Sequence, residues 1–142
     1  MDRAALDVAR ELGMPCGGWC PRGRLAEDGP IDPRYPLRET PSDDYAERTE
    51  WNVRDADATL ILTIGQPAGG TAFTVDCAKR LKKPFRILDL SRTPRIATVR
   101  AWLSRHRVNI LNVAGPRESK CVGIYAQAAR CLRLLFSHSS NA

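Results

Sequence analysis

The chain has 142 residues, a net charge of +6 and 43% hydrophobic residues, enough for one domain with a buried core. No run approaches the roughly 18 apolar residues of a membrane-spanning helix, and the first residues lack the basic start and apolar middle of a signal peptide. The five cysteines, an odd number, argue against a disulfide framework. We therefore expect a cytoplasmic globular protein without a membrane segment.

Charge is unevenly distributed along the chain. Residues 1–60 carry 8 Arg and 13 Asp or Glu, whereas residues 61–142 carry 14 Lys or Arg and only 3 Asp or Glu. The basic half could attract nucleic acid or an anionic small molecule, or could face the acidic half of another copy. Simple solvation of both halves is a further alternative. Because there are only nine aromatic residues and no nucleic-acid motif, we do not expect nucleic acid to be the partner.

Helices and strands alternate from one end of the chain to the other. Regular alternation with short apolar strands predicts an α/β fold, a three-layer Rossmann-like doubly wound parallel sheet with helices on both faces. We expect one domain over residues 1–136, followed by a polar tail at 137–142. The predicted helices cover residues 2–12, 42–55, 71–81, a stretch that starts at Thr93-Pro94, and 120–136; the predicted strands cover residues 16–20, 58–64, 85–90 and 108–113.

Residues 21–41 contain five of the ten prolines and cannot form a long helix or a central strand. A connection of about 20 residues without regular structure is uncommon inside a small domain. We therefore expect an ordered surface loop beside a site, with disorder as the alternative.

A buried strand, a glycine-rich turn and a helix follow one another at residues 58–81. Gly65, Gly69 and Gly70 allow the backbone to turn sharply, and Thr71 is predicted to cap the next helix. A helix N-terminus offers unpaired N–H groups and a partial positive charge, so the turn is a candidate oxyanion site, although such glycines also occur in plain turns.

A second turn, Gly115-Pro-Arg-Glu-Ser119, follows the last predicted strand. Arg117 and Ser119 would add a forked cation and a hydroxyl; the structural alternatives are a turn at Gly115-Pro116 and an N-cap at Ser119. Ligands of doubly wound sheets bind at the carboxyl ends of the strands, so both turns and Asp2-Arg3 should converge there. The predicted binding residues are Asp2, Arg3, Gly65, Gly69, Gly70, Thr71, Gly115, Pro116, Arg117, Glu118 and Ser119.

Several motifs resemble one family. They are Gly17-Gly18-Trp19-Cys20-Pro21, Tyr35-Pro36-Leu37, Glu47-Arg48-Thr49, Asn52-Val53, Gly69-Gly70-Thr71 and Asn112–Ser119. With them the chain resembles the molybdenum-cofactor carrier family, which is similar to the lysine-decarboxylase-like phosphoribohydrolases and the DNA-processing protein A fold. The resemblance implies a cytoplasmic bacterial homo-oligomer that holds molybdopterin, the phosphorylated pterin of the molybdenum cofactor, or a related nucleotide-like phosphate ligand, with molybdoenzymes as possible partners.

One departure from the family concerns the start of the chain. Family members usually begin with a strand and a turn of the type Gly-Gly-Gln-Thr-Gly-x-Asp-Arg, of which Asp2-Arg3 alone matches here. In a 2-1-3-4-5 strand order, the first strand would lie between residues 16–20 and 58–64. We therefore expect that strand to be missing from the chain and to leave a gap in the sheet.

The sequence favours a carrier over an enzyme. The phosphoribohydrolase relatives carry a Gly-Thr-x-x-Glu signature, and Thr74 stands here where the glutamate would be. Glu27, Asp28 and Glu118 could act as acid or base, but solvated carboxylates are the simpler interpretation. We predict no catalytic or metal-ligating residues; the alternatives are a phosphoribohydrolase-like enzyme and a truncated, nonfunctional product.

Overall fold

The computed structural model describes residues 2–26 and 29–137. In these ranges the helices are α1 (Asp2–Glu11), α2 (Tyr45–Asp55), α3 (Gly69–Arg80), α4 (Ile96–Arg105) and α5 (Ile124–Ser137). The strands are β1 (Trp19–Cys20), β2 (Leu25–Ala26), β3 (Gly29–Pro30), β4 (Arg38–Glu39), β5 (Ala58–Thr63), β6 (Phe85–Asp89) and β7 (Leu111–Ala114).

The predicted order of the five helices and of the four predicted strands is correct, but the segment predicted to be a loop also contains β2, β3 and β4. Three helices begin later than predicted. α2 begins at Tyr45, capped by Asp44, whose carboxylate accepts a hydrogen bond from the Ala46 amide at 2.9 Å. α4 begins at Ile96, after the Thr93-Pro94 pair that we predicted to start it. α5 begins at Ile124 rather than at residue 120, because residues 118–123 form turns.

The central sheet is parallel and has the order β6-β5-β7. All six residues of β5 are buried, as its two-sided apolar pattern predicted. The predicted strand order, however, was wrong for the last strand. β7 does not lie outside β6 but pairs with β5, with Thr59 opposite Asn112. It therefore takes the place beside β5 that we assigned to an absent first strand, and its backbone satisfies the hydrogen-bonding groups on that edge of β5.

The strand predicted at residues 16–20 is reduced to β1, which lies outside the central sheet. On one edge β1 pairs in parallel with β4, with Trp19 opposite Arg38. On the other edge the Asn52 side chain takes the place of a strand: its Oδ1 accepts from the Trp19 amide at 2.8 Å, and its Nδ2 donates to the Trp19 carbonyl at 3.1 Å. Gly18 has a φ of +135°, and a Cβ there would lie 3.0 Å from that Oδ1, so any other residue would be strained at this position.

Helices cover both faces of the central sheet, as predicted. α1, α4 and α5 pack on the face that carries Leu60 and Leu62, in a core that includes Val8, Val99 and Leu132. α2 and α3 pack against each other and form a smaller core around Val53, Cys77 and Ala78, with Phe85 of β6 at its edge. No helix in residues 2–26 and 29–137 combines the length and apolar character needed to cross a bilayer.

The proline-rich segment is ordered in its described part, as predicted. β2 and β3 form a hairpin, and β4 joins β1. The Arg24 guanidinium donates to four carbonyl oxygens along the segment. These acceptors are Ile31 at 3.1 Å, Leu37 at 3.1 Å, Asp32 at 2.9 Å and Tyr35 at 2.8 Å. Glu27 and Asp28, two candidate acid/base residues, and most of the predicted tail lie outside the described residues.

Candidate functional site

A large cleft opens where β5 and β7 end. Its volume is about 1220 Å³, above the roughly 300–1,000 Å³ of ordinary small-molecule pockets. Its walls come from α1, β1, α2, the proline-rich segment and the turns that lead into α3 and α5. The predicted site residues that line it are Arg3, Gly69, Gly70, Thr71, Gly115, Pro116, Arg117, Glu118 and Ser119.

Two predicted site residues, Gly65 and Asp2, are not among the described residues that line the cleft. Gly65 is not among the residues that line the cleft; it turns the chain at a φ of +76°, and its amide donates to Asp89 Oδ1 at 3.1 Å. Hydrogen bonds from Ser91 and from this amide hold the pKa of Asp89 below its ordinary value. The side chain of Asp2 lies outside what the structure describes.

The glycine turn forms the first turn of α3. The helix begins at Gly69, whose φ of +52° favours glycine, and its N-cap is Ala68, which has no side-chain acceptor. The prediction that Thr71 caps α3 was therefore wrong; Thr71 lies inside the first turn and is buried. The Thr71 amide already donates to the Ala68 carbonyl oxygen at 3.1 Å, so the amides of Gly69 and Gly70 are the ones left for a ligand or solvent at this uncapped end.

Thr74, which stands where the hydrolase relatives carry a glutamate, also lines the cleft. Its hydroxyl donates to the Gly70 carbonyl oxygen at 3.0 Å, one turn back along α3. The residue therefore bonds within the helix and supplies no carboxylate.

Glu118 caps the start of α5. Its Oε2 accepts from the Gly123 amide at 2.6 Å, and its Oε1 accepts from the Tyr125 amide at 3.0 Å. These two bonds favour the charged form and lower the pKa of Glu118. The alternative in which Ser119 caps this helix is wrong, because Glu118 performs that role; Ser119 lies in the turn and lines the cleft.

The cleft carries an excess of positive charge. Among the described residues that line it, the cations are Arg3, Arg34, Arg48, Arg117 and Lys120, and the carboxylates are Asp7 and Glu118. Concave surfaces lined by one sign of charge concentrate ligands of the opposite sign. The charges of the described lining residues therefore favour an anion over a cation.

Asp7 and two tyrosines join three walls of the cleft, a constellation that the sequence analysis missed. The Tyr35 hydroxyl donates to Asp7 Oδ1 at 2.6 Å, and the Tyr125 hydroxyl donates to Asp7 Oδ2. Burial, reinforced by the hydrogen bond to Asp7, raises the pKa of Tyr125 to about 12 and raises that of Tyr35 as well. No sequence signal could reveal the group, because Asp7 is 28 and 118 residues from its partners.

A second missed group surrounds Tyr45 at the start of α2. The Cζ of Arg48 lies 5.4 Å from the centre of the Tyr45 ring, and the Cζ of Arg117 lies 4.8 Å from it. All three residues line the cleft. The spacing of three between Tyr45 and Arg48 was a usable helical signal, but nothing in the sequence pointed from either residue to Arg117.

Two cysteines, Cys20 and Cys121, are also among the residues that line the cleft. All five cysteines are free, and burial raises the pKa of Cys20. Within residues 2–26 and 29–137, no group of three or more His, Cys, Asp or Glu side chains is arranged to hold a metal ion.

Comparison with known proteins identifies the family. The model of the Circularly permutated YpsA SLOG family matches residues 1–136. The chain belongs to this family. Among solved structures, it is similar to the crystal structure of a protein named "Putative molybdenum carrier protein" from Syntrophus aciditrophicus SB. The two share 42% sequence identity and a TM-score of 0.89, over 94% of this chain and 87% of that one. No curated protein matches.

The strand order of the central sheet departs from the 2-1-3-4-5 order. β7, the last strand of the chain, lies beside β5. That is where the 2-1-3-4-5 order places the first strand.

Proposed function

We propose that this SLOG-family protein binds and carries a phosphorylated anionic cofactor, most specifically molybdopterin in the molybdenum cofactor. The observation that carries the proposal is the cationic cleft of about 1220 Å³ at the ends of β5 and β7. The proposal includes a cytoplasmic homo-oligomer that passes its cargo to molybdoenzymes. The similar solved structure of a protein named as a molybdenum carrier supports it.

The cleft offers groups suited to both parts of such a ligand. The first turn of α3 and the turn at residues 115–119 supply backbone amides, a hydroxyl and the Arg117 guanidinium, which are phosphate-binding groups. Tyr125, which lines the cleft and is 37% exposed, supplies aromatic surface for a flat pterin ring. The volume accommodates a ligand larger than a single phosphate ester.

The arrangement of carboxylates favours a carrier over the phosphoribohydrolase alternative. Of the described residues that line the cleft, Asp7 accepts two tyrosine hydroxyls and Glu118 accepts two backbone amides. Thr74 offers a hydroxyl where the hydrolases have their glutamate. These contacts support binding without hydrolysis.

The test is to purify the protein from cells that overproduce the molybdenum cofactor and to measure bound pterin after oxidation to its fluorescent form. We expect wild type to retain pterin. Arg117→Ala should lower the retained amount about tenfold or more, because hydrogen bonds to charged groups contribute roughly 1.5–3 kcal/mol. Arg92→Ala, which removes an exposed arginine outside the cleft, is the matched control and should behave as wild type.

Two results would overturn the carrier proposal. One is wild-type protein that holds no pterin in these cells. The other is steady release of base from nucleoside monophosphates by the same preparation, which would support the hydrolase alternative instead.

A further inference from the structure

We propose that Asp7 accepts hydrogen bonds from the amino-pyrimidine edge of the pterin, with Tyr35 and Tyr125 holding its carboxylate in place. These three residues are named the Asp7 subsite. The pterin edge carries an exocyclic amino group beside a ring N–H, two donors that point the same way. The inference rests on the proposed function and deepens it, because it assigns the ring end of the same ligand. None of the three residues was predicted from the sequence as a binding residue.

The carboxylate of Asp7 is held at the wall of the cleft by groups from two other parts of the chain. Asp7 belongs to α1, and all three residues line the cleft. The Tyr35 hydroxyl, from the proline-rich segment, donates to Oδ1 at 2.6 Å, and the Tyr125 hydroxyl, from α5, donates to Oδ2. The pKa values of both tyrosines are raised, so both hydroxyls stay protonated at neutral pH. The carboxylate therefore has a defined position before a ligand binds.

The Asp7 carboxylate has room for further donors. A carboxylate offers about four lone-pair sites, and each oxygen of Asp7 accepts one tyrosine hydroxyl. Within residues 2–26 and 29–137, no lysine or arginine forms an ion pair with it. Two parallel N–H donors fit the two oxygens of a carboxylate, as they do in arginine–carboxylate pairs. The amino-pyrimidine edge presents this same pattern of donors.

A carboxylate in a cationic cleft weakens the attraction for an anion, so its presence there requires a reason. Glu118 has one, because it accepts the amides at the start of α5. Joining α1 to α5 is not sufficient reason for Asp7, because Glu11 and Arg133 already join these helices outside the cleft, with Oε2 and Nε 2.6 Å apart. Contact with a ligand is a role that Asp7 can perform and Glu11 cannot.

The subsite also offers surface for the ring of the ligand. Tyr125 is 37% exposed, and its hydroxyl contacts Asp7, so aromatic surface and carboxylate lie side by side. Aromatic rings favour stacked or edge-to-face contacts with each other. A flat heterocycle can therefore contact Tyr125 and bond to Asp7 at the same time. The phosphate stays assigned to the first turn of α3 and the turn at residues 115–119.

The experiment compares two flat probes that differ at one ring position. Pterin-6-carboxylate carries the amino group at C2, whereas lumazine-6-carboxylate carries a carbonyl oxygen there. Both fluoresce, and quenching gives each Kd at a mildly acidic pH at which both rings keep the N3 proton. Wild type should bind the pterin about tenfold or more tightly than the lumazine, because the carbonyl replaces a charge-assisted hydrogen bond by repulsion between oxygens.

Asp7→Asn should abolish or reverse this preference. The amide presents one acceptor and one donor, which fit the N–H and the carbonyl oxygen of the lumazine edge. A residue that only joined α1 to α5 would change the Kd of both probes equally, so the ratio of the two Kd values reports direct contact with the ring.

Glu11→Gln is the matched control, because Glu11 is also a carboxylate of α1 that bonds to α5, but it does not line the cleft. It should keep the wild-type preference for the pterin. A second measurement remains valid even if Asp7→Asn fails to fold. In isotope-labelled wild type, the carboxylate carbon signal of Asp7 in nuclear magnetic resonance should move when pterin-6-carboxylate is added, and much less when inorganic phosphate is added.

Four results would overturn the subsite: a wild type that does not prefer the pterin probe, an Asp7→Asn protein with the wild-type preference, a Glu11→Gln protein that loses the preference as Asp7→Asn does, or an Asp7 signal that the pterin does not move. The outcome is separable from that of the carrier proposal. Pterin retained from cells equally by wild type and Asp7→Asn would leave the carrier and remove the subsite. An Asp7-dependent preference for the pterin probe, in a protein that retains no pterin from cells, would leave the subsite and remove the carrier.

Discussion

Glu118 acts on the cleft through the backbone. Its carboxylate accepts hydrogen bonds from the amides of Gly123 and Tyr125. These bonds connect the turn that carries Arg117 to the start of α5. The sequence analysis named Glu118 as a possible acid or base. In the structure both of its carboxylate oxygens accept hydrogen bonds from backbone amides. We therefore expect Glu118 to contribute to function by positioning Arg117.

Glu118→Gln should lower the melting temperature at neutral pH, because a neutral amide is a weaker acceptor for helix-terminal N–H groups. The folded-state pKa of Glu118 is depressed, so its contribution is present above the unfolded pKa of about 4.3 and is lost as the pH falls through the folded value. Melting curves of both proteins between pH 7 and pH 3 should therefore converge at the acid end.

Asp76→Asn is the control for Glu118→Gln, because it removes one carboxylate charge from the exposed face of α3 without touching a helix terminus. It should change the melting temperature little at any of these pH values. A Glu118→Gln protein that melts as wild type does at pH 7 would rule out the capping role.

At the scale of elements, one side chain, Arg24, connects several parts of the proline-rich segment. Arg24 donates to the carbonyls of Ile31, Asp32, Tyr35 and Leu37. These carbonyls have few strand partners, because the segment contains only short strands. A forked guanidinium can satisfy several of them at once, which a lysine cannot do. The segment thus holds its shape without a hydrophobic core of its own and carries Tyr35 to the cleft.

Arg24→Lys should loosen this segment while leaving the central sheet intact. We expect the amides of Ile31 and Leu37 to exchange with deuterium about tenfold faster, which corresponds to ~1.4 kcal/mol. Amides of β5 should exchange at the wild-type rate. Hydrogen exchange followed by mass spectrometry or nuclear magnetic resonance measures both regions in one sample.

Arg22→Lys provides the comparison for Arg24→Lys, since Arg22 is exposed and bonds to Ser42 through its backbone amide. Its exchange pattern should match that of wild type. Equal acceleration in Arg22→Lys and Arg24→Lys, or no acceleration in either, would contradict the role given to the Arg24 guanidinium.

At the scale of the whole molecule, local sequence patterns predicted the layers of the fold but not which strands lie next to one another. The two-sided apolar run of β5 identified the central strand, and the periodicity of α1 and α5 identified the covering helices. The position of β7 beside β5 was predicted wrongly, because the order 2-1-3-4-5 was assumed and no local pattern specifies which strand pairs with β5. Trp19 was predicted to lie in a strand of the central sheet. No local pattern shows that the Asn52 side chain can bond to the Trp19 backbone where a neighbouring strand would.

The same division holds for the candidate site. The glycine and turn residues predicted where the candidate site lies. Gly69, Gly70 and the turn after β7 adjoin the strand ends at which Rossmann-like folds bind ligands. The groups that complete the cleft come from distant parts of the chain. Tyr35 and Tyr125 meet at Asp7 only after three elements have packed together, so their relation is a property of the fold and not of any segment.

The Asp7 group should give the whole molecule a dependence on alkaline pH. The folded state holds the Tyr125 proton up to about pH 12, whereas a tyrosine in an unfolded chain ionises near 10. Stability from this group is therefore complete below about pH 10 and is lost as the pH rises through about 12. Tyr125→Phe should be less stable than wild type at pH 8, and the difference should shrink toward pH 12, as measured by urea unfolding.

Asp7→Asn separates the effect of the carboxylate from that of burial. Without the negative charge, part of the cause of the raised tyrosine pKa disappears, so ultraviolet titration should show tyrosinate forming at lower pH than in wild type. Its free energy of unfolding should also vary less between pH 10 and pH 12. If every tyrosine of the wild type ionised near pH 10, or if Tyr125→Phe and wild type kept a constant difference in stability up to pH 12, Asp7 would not be the point at which α1, α5 and the proline-rich segment are held together.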